Sequence, residues 1–181
     1  TVNNEAPIFT LTHTFGVKTL GGDHCYNLTE ASVYKRFWLP SAWGRMEFHI
    51  KGGAQWSRVP YPLLIMPAAN QSYIVHKAMF CMMNNMEFLN DRYVSAMVHW
   101  DINGKIFNRI PLLRKLKWRE VIGCNTLWGT LTDKNNPQLN PGDSRLYYFP
   151  GHFRHDGSYH YSSHVMESNK PYVEVYAGVY N

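Results

Sequence analysis

Charge is scarce in this sequence, and the little there is lies scattered. Asp, Glu, Lys and Arg make up 17% of the 181 residues, and the formal net charge of +5 comes from dispersed basic residues. A nucleic-acid footprint concentrates its basic residues on one face or segment, so no nucleic-acid partner is expected. Long apolar runs are also missing. The longest, Pro62 to Ala69 and Ala78 to Met83, fall well short of the roughly 18 residues a membrane-spanning helix requires. Cys25, Cys81 and Cys124 are odd in number and lack CxxC spacing, which announces neither a disulfide framework nor a zinc site. No GxSxG elbow, P-loop, HExxH or dinucleotide fingerprint occurs. The chain is therefore read as non-catalytic and without a cofactor. Thr1 is preceded by no charged, apolar signal segment, as expected of a mature product or a fragment.

What the sequence does hold is alternation with period two, the mark of strands with unlike faces. In Arg45 to Lys51, Met46, Phe48 and Ile50 share one face and Arg45, Glu47, His49 and Lys51 the other. Tyr93 to Ile102 and Tyr172 to Tyr180 repeat the pattern, with Val94, Val98 and Trp100 on one strand's apolar face and Val173 and Val175 on the other's. Further strands are expected over Ile8 to Phe15, Tyr26 to Phe37 and Lys117 to Leu131, the last apolar in places on both faces. The expected class is all-β.

Connection lengths alternate as well. Leu39 to Gly44 is short, whereas Ala54 to Arg92 and Thr132 to Pro171 are long. An antiparallel up-and-down sheet with its loops sorted to one end is the pattern of a transmembrane β-barrel, whose strands need about 9 to 11 residues to cross. Trp38, Trp43, Trp100 and Trp118 lie near the short turns, and Trp56 and Trp128 near the long loops. Such rings settle at both membrane interfaces. Period alone leaves a second arrangement open: a soluble, lipocalin-like barrel with the apolar face inward around a small apolar ligand. Six strands are also fewer than the eight or so of the smallest single-chain barrels.

Five stretches carry a resemblance: Arg36-Phe37-Trp38-Leu39, Val59-Pro60-Tyr61-Pro62-Leu63-Leu64, Met86 to Tyr93, Asn108 to Glu120, and Asp133-Lys134-Asn135-Asn136-Pro137. In order and spacing the chain resembles the C-terminal β-barrel region of an uncharacterised family of Bacteroidota outer-membrane proteins. In that family the barrel follows an N-terminal carboxypeptidase-regulatory-like domain. The resemblance implies that residues 1–181 form part of one barrel domain, with the regulatory-like domain and further strands outside them. It also implies an integral outer-membrane protein acting in envelope assembly, transport or a surface complex, with long extracellular loops. Outer-membrane lipid, and other outer-membrane or periplasmic subunits, are the implied partners. Arg45, Glu47, His49, Lys51, His99, Asp101 and Glu174 would then face the lumen or a plug within it.

Outside that frame, His152, His155, His160 and His164 form the densest polar constellation. Imidazoles converging in a folded-back loop are able to hold a transition metal, or to serve an outer-membrane enzyme, but a solvated loop is the default. Leu112, Leu113 and Leu116 fit one face of a helical turn beside Arg114, Lys115 and Lys117, a set suited to lipid phosphates or a partner. The apolar stretches around Leu64 and Met82 would cap the barrel or dock another subunit. Asn90-Asp91-Arg92 and Arg119-Glu120 are expected to form ion pairs that set strand register.

Overall fold

A computed structural model describes residues 6–20, 22–70, 79–163, 165 and 170–180. Ten strands are present among them: β1 (Ile8–Gly16), β2 (Tyr26–Trp38), β3 (Arg45–Gln55), β4 (Ala69–Asn70), β5 (Phe80–Asn84), β6 (Arg92–Asp101), β7 (Arg119–Thr130), β8 (Gly151–Phe153), β9 (Tyr159–Tyr161) and β10 (Tyr172–Tyr180). Six of them form one antiparallel sheet in the order β1-β2-β3-β6-β7-β10. Each is the strand that the alternation predicts. Among the described residues no helix is long and apolar enough to cross a membrane.

β3 runs four residues further than its alternation suggests, through Gly52, Gly53 and Ala54 to Gln55, because glycines carry no side chain to mark a face. β7 resolves its ambiguity through pairing. Val98 opposite Cys124 and Cys124 opposite Val175 put its even-numbered residues on the face of Val94 and Val175, and Leu127 on the other. The turn joining β2 to β3 is tight: Ser41 and Ala42 both have positive φ, near 59° and 58°, and Gly44 follows at 77°. A Cβ on Gly44 would fall 1.8 Å from the Asp101 carbonyl oxygen, so the turn closes only with glycine there.

Register divides the sheet into two unlike faces. One carries Phe9, Leu11, Phe37, Phe48, Ile50, Val94, Val98, Ile122 and Val175. Phe9, Leu11, Phe37, Ile50, Val94, Ile122 and Val175 are exposed there. The other carries Glu30, Arg36, Glu47, His49, Lys51, His99, Asp101, Asn125 and Glu174, of which Glu47, Asp101, Asn125 and Glu174 are buried. The apolar face is thus bare and the polar face covered over its central strands, while β1 is exposed on both faces. What covers it are the long excursions between β3 and β6 and between β7 and β10, both at one end of the sheet. The hydrophobic core lies there. Ile65, Ala69, Phe80 and Met83 pack on Tyr93 and Leu127, and beside them Val59, Leu64, Leu89, Leu131 and Phe149 form a second cluster.

Candidate functional site

The polar face is built from cross-strand chains of charge. Arg36 Nε reaches Glu47 Oε1 at 3.2 Å, while Arg45 Nε lies 3.7 Å from Glu47 and 3.5 Å from Asp101. Tyr180 Oη donates to Asp101 at 2.5 Å from β10. Higher on the sheet Lys51 Nζ lies 2.8 Å from Glu30 Oε1, which also accepts from Tyr93 Oη at 2.7 Å. Paired charges of this kind tolerate burial that single ones do not.

Glycines let these side chains travel. Tyr93 lies over Gly53 on the adjacent strand to reach Glu30 on the next, and Tyr176 lies over Gly123 to bond His99 Nδ1 at 2.8 Å. A Cβ at either glycine would meet the tyrosine ring, at 2.7 Å and 2.0 Å. Glycines inside strands often mark a close approach, and both do here, each to an aromatic neighbour.

The covering segment between β3 and β6 is fastened by Glu174. Its carboxylate accepts from the backbone N–H groups of Cys81 and Met82 at 3.0 and 3.1 Å, and from Asn125 Nδ2 at 2.8 Å. Between segment and sheet lies a cleft of about 320 Å³. Glu30, His49, Lys51 and Ser95 line its sheet side, and Ile65 to Ala68 its other wall. The cleft combines a fixed ion pair and an imidazole with an apolar wall.

A second fastening is Asp91, fully buried. Its carboxylate accepts from Thr132 N–H and Asn135 Nδ2, at 3.0 and 2.9 Å, and from the Thr132 hydroxyl. Asn135 Oδ1 in turn accepts from Val59 N–H at 3.0 Å. Three of the five stretches that carry the resemblance, around Val59, Asp91 and Asn135, therefore meet at one buried node. This corrects the expected ion pairs: Asp91 takes neutral donors from a loop 41 residues away, and Glu120 accepts from Phe107 N–H at 2.5 Å.

The residues singled out in sequence fall in different places. His152 and His160 face each other across the β8–β9 hairpin, ring centroids 5.3 Å apart, with His160 Nδ1 3.3 Å from Arg154. His155 sits exposed at the hairpin's turn, and His164 lies outside the described residues. Among the described residues no group of three or more His, Cys, Asp or Glu side chains is placed to hold a metal. Leu64 is buried against Val59, Leu89 and Phe149, so its surface is satisfied within the chain, whereas Met82 on β5 is 78% exposed. Arg114 and Lys115 occupy a short 3-10 helix (Leu113–Leu116) and Lys117 its left-handed cap, all three exposed at the short-turn end. Glu174 and Asp91 emerge as the two fastenings; the resemblance implies only that Glu174 faces a lumen or plug, and neither residue's bonding is written in local spacing.

The C-terminal domain of a family of unknown function, DUF5686, matches residues 1–136. The chain belongs to that family. No curated protein matches the chain, and no solved structure does. The DUF5686 match takes in β1 to β7 and the partners of Asp91, while the histidine hairpin and β10 lie beyond it.

Proposed function

We propose that this DUF5686 chain is part of an integral outer-membrane β-barrel, non-catalytic, with its long loops outside the cell and its polar face turned toward the barrel interior. The observation that carries this is the inverted sense of the sheet: bare apolar face, buried paired charges. In water that arrangement leaves a contiguous apolar surface uncompensated, whereas in lipid it is the expected one. A soluble barrel around an apolar ligand needs the opposite sense.

Other features agree. The six sheet strands have 9 to 13 residues, enough to cross when tilted. Trp43 and Trp100 lie near the short turns with their ring centroids 6.0 Å apart and their planes tilted by 40°, with Trp118 beside β7, while Trp56 and Trp128 stand near the other end. The motif resemblance supplies the outer membrane of Bacteroidota as the setting. Because loops of this same chain occupy the polar face, a plugged barrel serving envelope assembly or a surface complex is favoured over an open diffusion pore. Met82, exposed on the segment that Glu174 fastens to the interior face, would meet a further strand or subunit of the barrel, and Arg114, Lys115 and Lys117 would meet lipid phosphates or a periplasmic subunit.

The three free cysteines test this in the full-length protein. Single-cysteine variants in intact cells would be treated with a membrane-impermeant maleimide. Cys25, in the loop before β2, should label from outside, and Cys124, on the apolar face, should stay protected. Equal labelling of the two would refute a lipid-covered face.

A further inference from the structure

The apolar face has a break at its long-loop end. Gly52, Val94 and Trp128 lie in one row across β3, β6 and β7, and Ala54, Arg92 and Thr130 in the next row of that face. The small residues of β3 leave a trough of about 490 Å³, walled by Val94 and Trp128 and reached at its outer end by Arg92. Arg92 is exposed and makes no ion pair among the described residues. Its neighbour Asp91 points to the opposite side and is committed to Thr132 and Asn135. Among the described residues of this half of the face Arg92 is the only Lys, Arg, Asp or Glu; the next charge on the face is Lys35, in the row of Phe48 and Val98.

A shallow apolar trough ending at strand-end height in one cation without an ion pair among the described residues fits a molecule with an apolar tail and an anionic head. We propose that this trough seats an acyl chain of a phosphate-bearing membrane lipid, with the lipid phosphate paired to the Arg92 guanidinium. The inference rests on the membrane placement proposed above. Guanidinium donors match phosphate oxygens in a two-pronged geometry, and a side chain of this length snorkels from an apolar floor to the headgroup level. Trp128 lies beside it, where amphipathic rings mark the interface.

The test uses the full-length protein purified in dodecyl maltoside and native mass spectrometry with added dioleoylphosphatidylglycerol or dioleoylglycerol. The parent protein should retain the phosphate-bearing lipid and not the diacylglycerol. Arg92→Gln should weaken retention about fivefold, as for one lost surface cation, and Arg92→Lys should restore much of it. Ala54→Phe should weaken retention by filling the trough with the charge intact. Equal retention by the parent and Arg92→Gln, or of the two lipids, would overturn the proposal. A protein that stays folded and monodisperse without detergent would sink the membrane placement itself. Loss of lipid selectivity in a detergent-requiring protein would sink only the site.

Discussion

Two substitutions on the apolar face separate lipid from water by magnitude. Ile50 sits at the centre of β3 and Val175 near the centre of β10, at 48% and 68% exposure. If that face meets water, Ile50→Arg and Val175→Arg remove little. Full burial of such a side chain is worth about 1.5–3 kcal/mol. The buried portion here therefore amounts to about 1 kcal/mol each, part of it regained by the arginine stem. If the face meets hydrocarbon, each arginine near the midplane costs about 2–4 kcal/mol. β3 and β10 are three steps apart in the sheet, about 14 Å, so the two costs should add. The double variant is then expected to lose about 4–8 kcal/mol. Reversible guanidinium unfolding of the full-length protein in phospholipid vesicles, followed by tryptophan fluorescence, reads this as a shift in midpoint at constant slope. A double variant within about 2 kcal/mol of the parent, the aqueous limit of the same areas, would refute the reasoning.

Three other outcomes are expected. Asp91→Ala takes the acceptor from the half-buried Thr132 N–H and hydroxyl and leaves the buried Asn135 amide only the Ser57 carbonyl at 3.4 Å, at about 1–3 kcal/mol for a buried donor so deprived, so the segment 131–150 should gain hydrogen exchange while β1 and β2 stay protected. Ala42→Gly relieves a left-handed alanine worth roughly 1–2 kcal/mol, offset by about 0.4–1 kcal/mol of unfolded-state entropy, and should raise the unfolding midpoint slightly; a lower midpoint would contradict the turn geometry. Asp143 is held down to about 2, first by the hydrogen bonds from Arg145 and further by the Arg58 charge. Because that carboxyl is lower in the folded chain than its ordinary 3.8, its contribution is present above about pH 4 and lost as pH falls through about 2. Pepsin cleavage of the loop between β7 and β8 should stay slow at pH 4 and rise near pH 2, whereas Asp143→Asn should be cut readily at both.

The six long strands were legible because each carries enough alternating side chains to fix a face, as in Met46-Glu47-Phe48-His49-Ile50. The short pairs β4–β5 and β8–β9 were not, since strands of two, five, three and three residues complete too few alternations to declare themselves. Which face is covered was also invisible. A period of two is identical read from either side, and only the path of the loops over Glu174 and Asp91 distinguishes them. The same limit applies to Leu64 and Met82, two apolar residues in similar stretches. One faces a cluster of its own chain and the other does not, a difference set by contacts distant in sequence.

The two faces together state what such a sheet requires. Its buried apolar side chains come largely from loops and the upper polar-face positions Tyr93 and Leu127, not from the valines and phenylalanines of its apolar face. The protein's own core therefore fastens loops to the sheet and leaves the sheet's largest apolar surface uncovered. β1 and β10 end the sheet as nine-residue edges without outer neighbours among the described residues. Open edges and a bare apolar face are both liabilities in water, where they promote association. Further strands would close the first and a hydrocarbon surround would cover the second, and an outer-membrane barrel supplies both at once. A soluble barrel around a ligand would have to close the other way, with Phe9, Leu11 and Val175 inward and the loops fastened by Glu174 and Asp91 left on its outer surface.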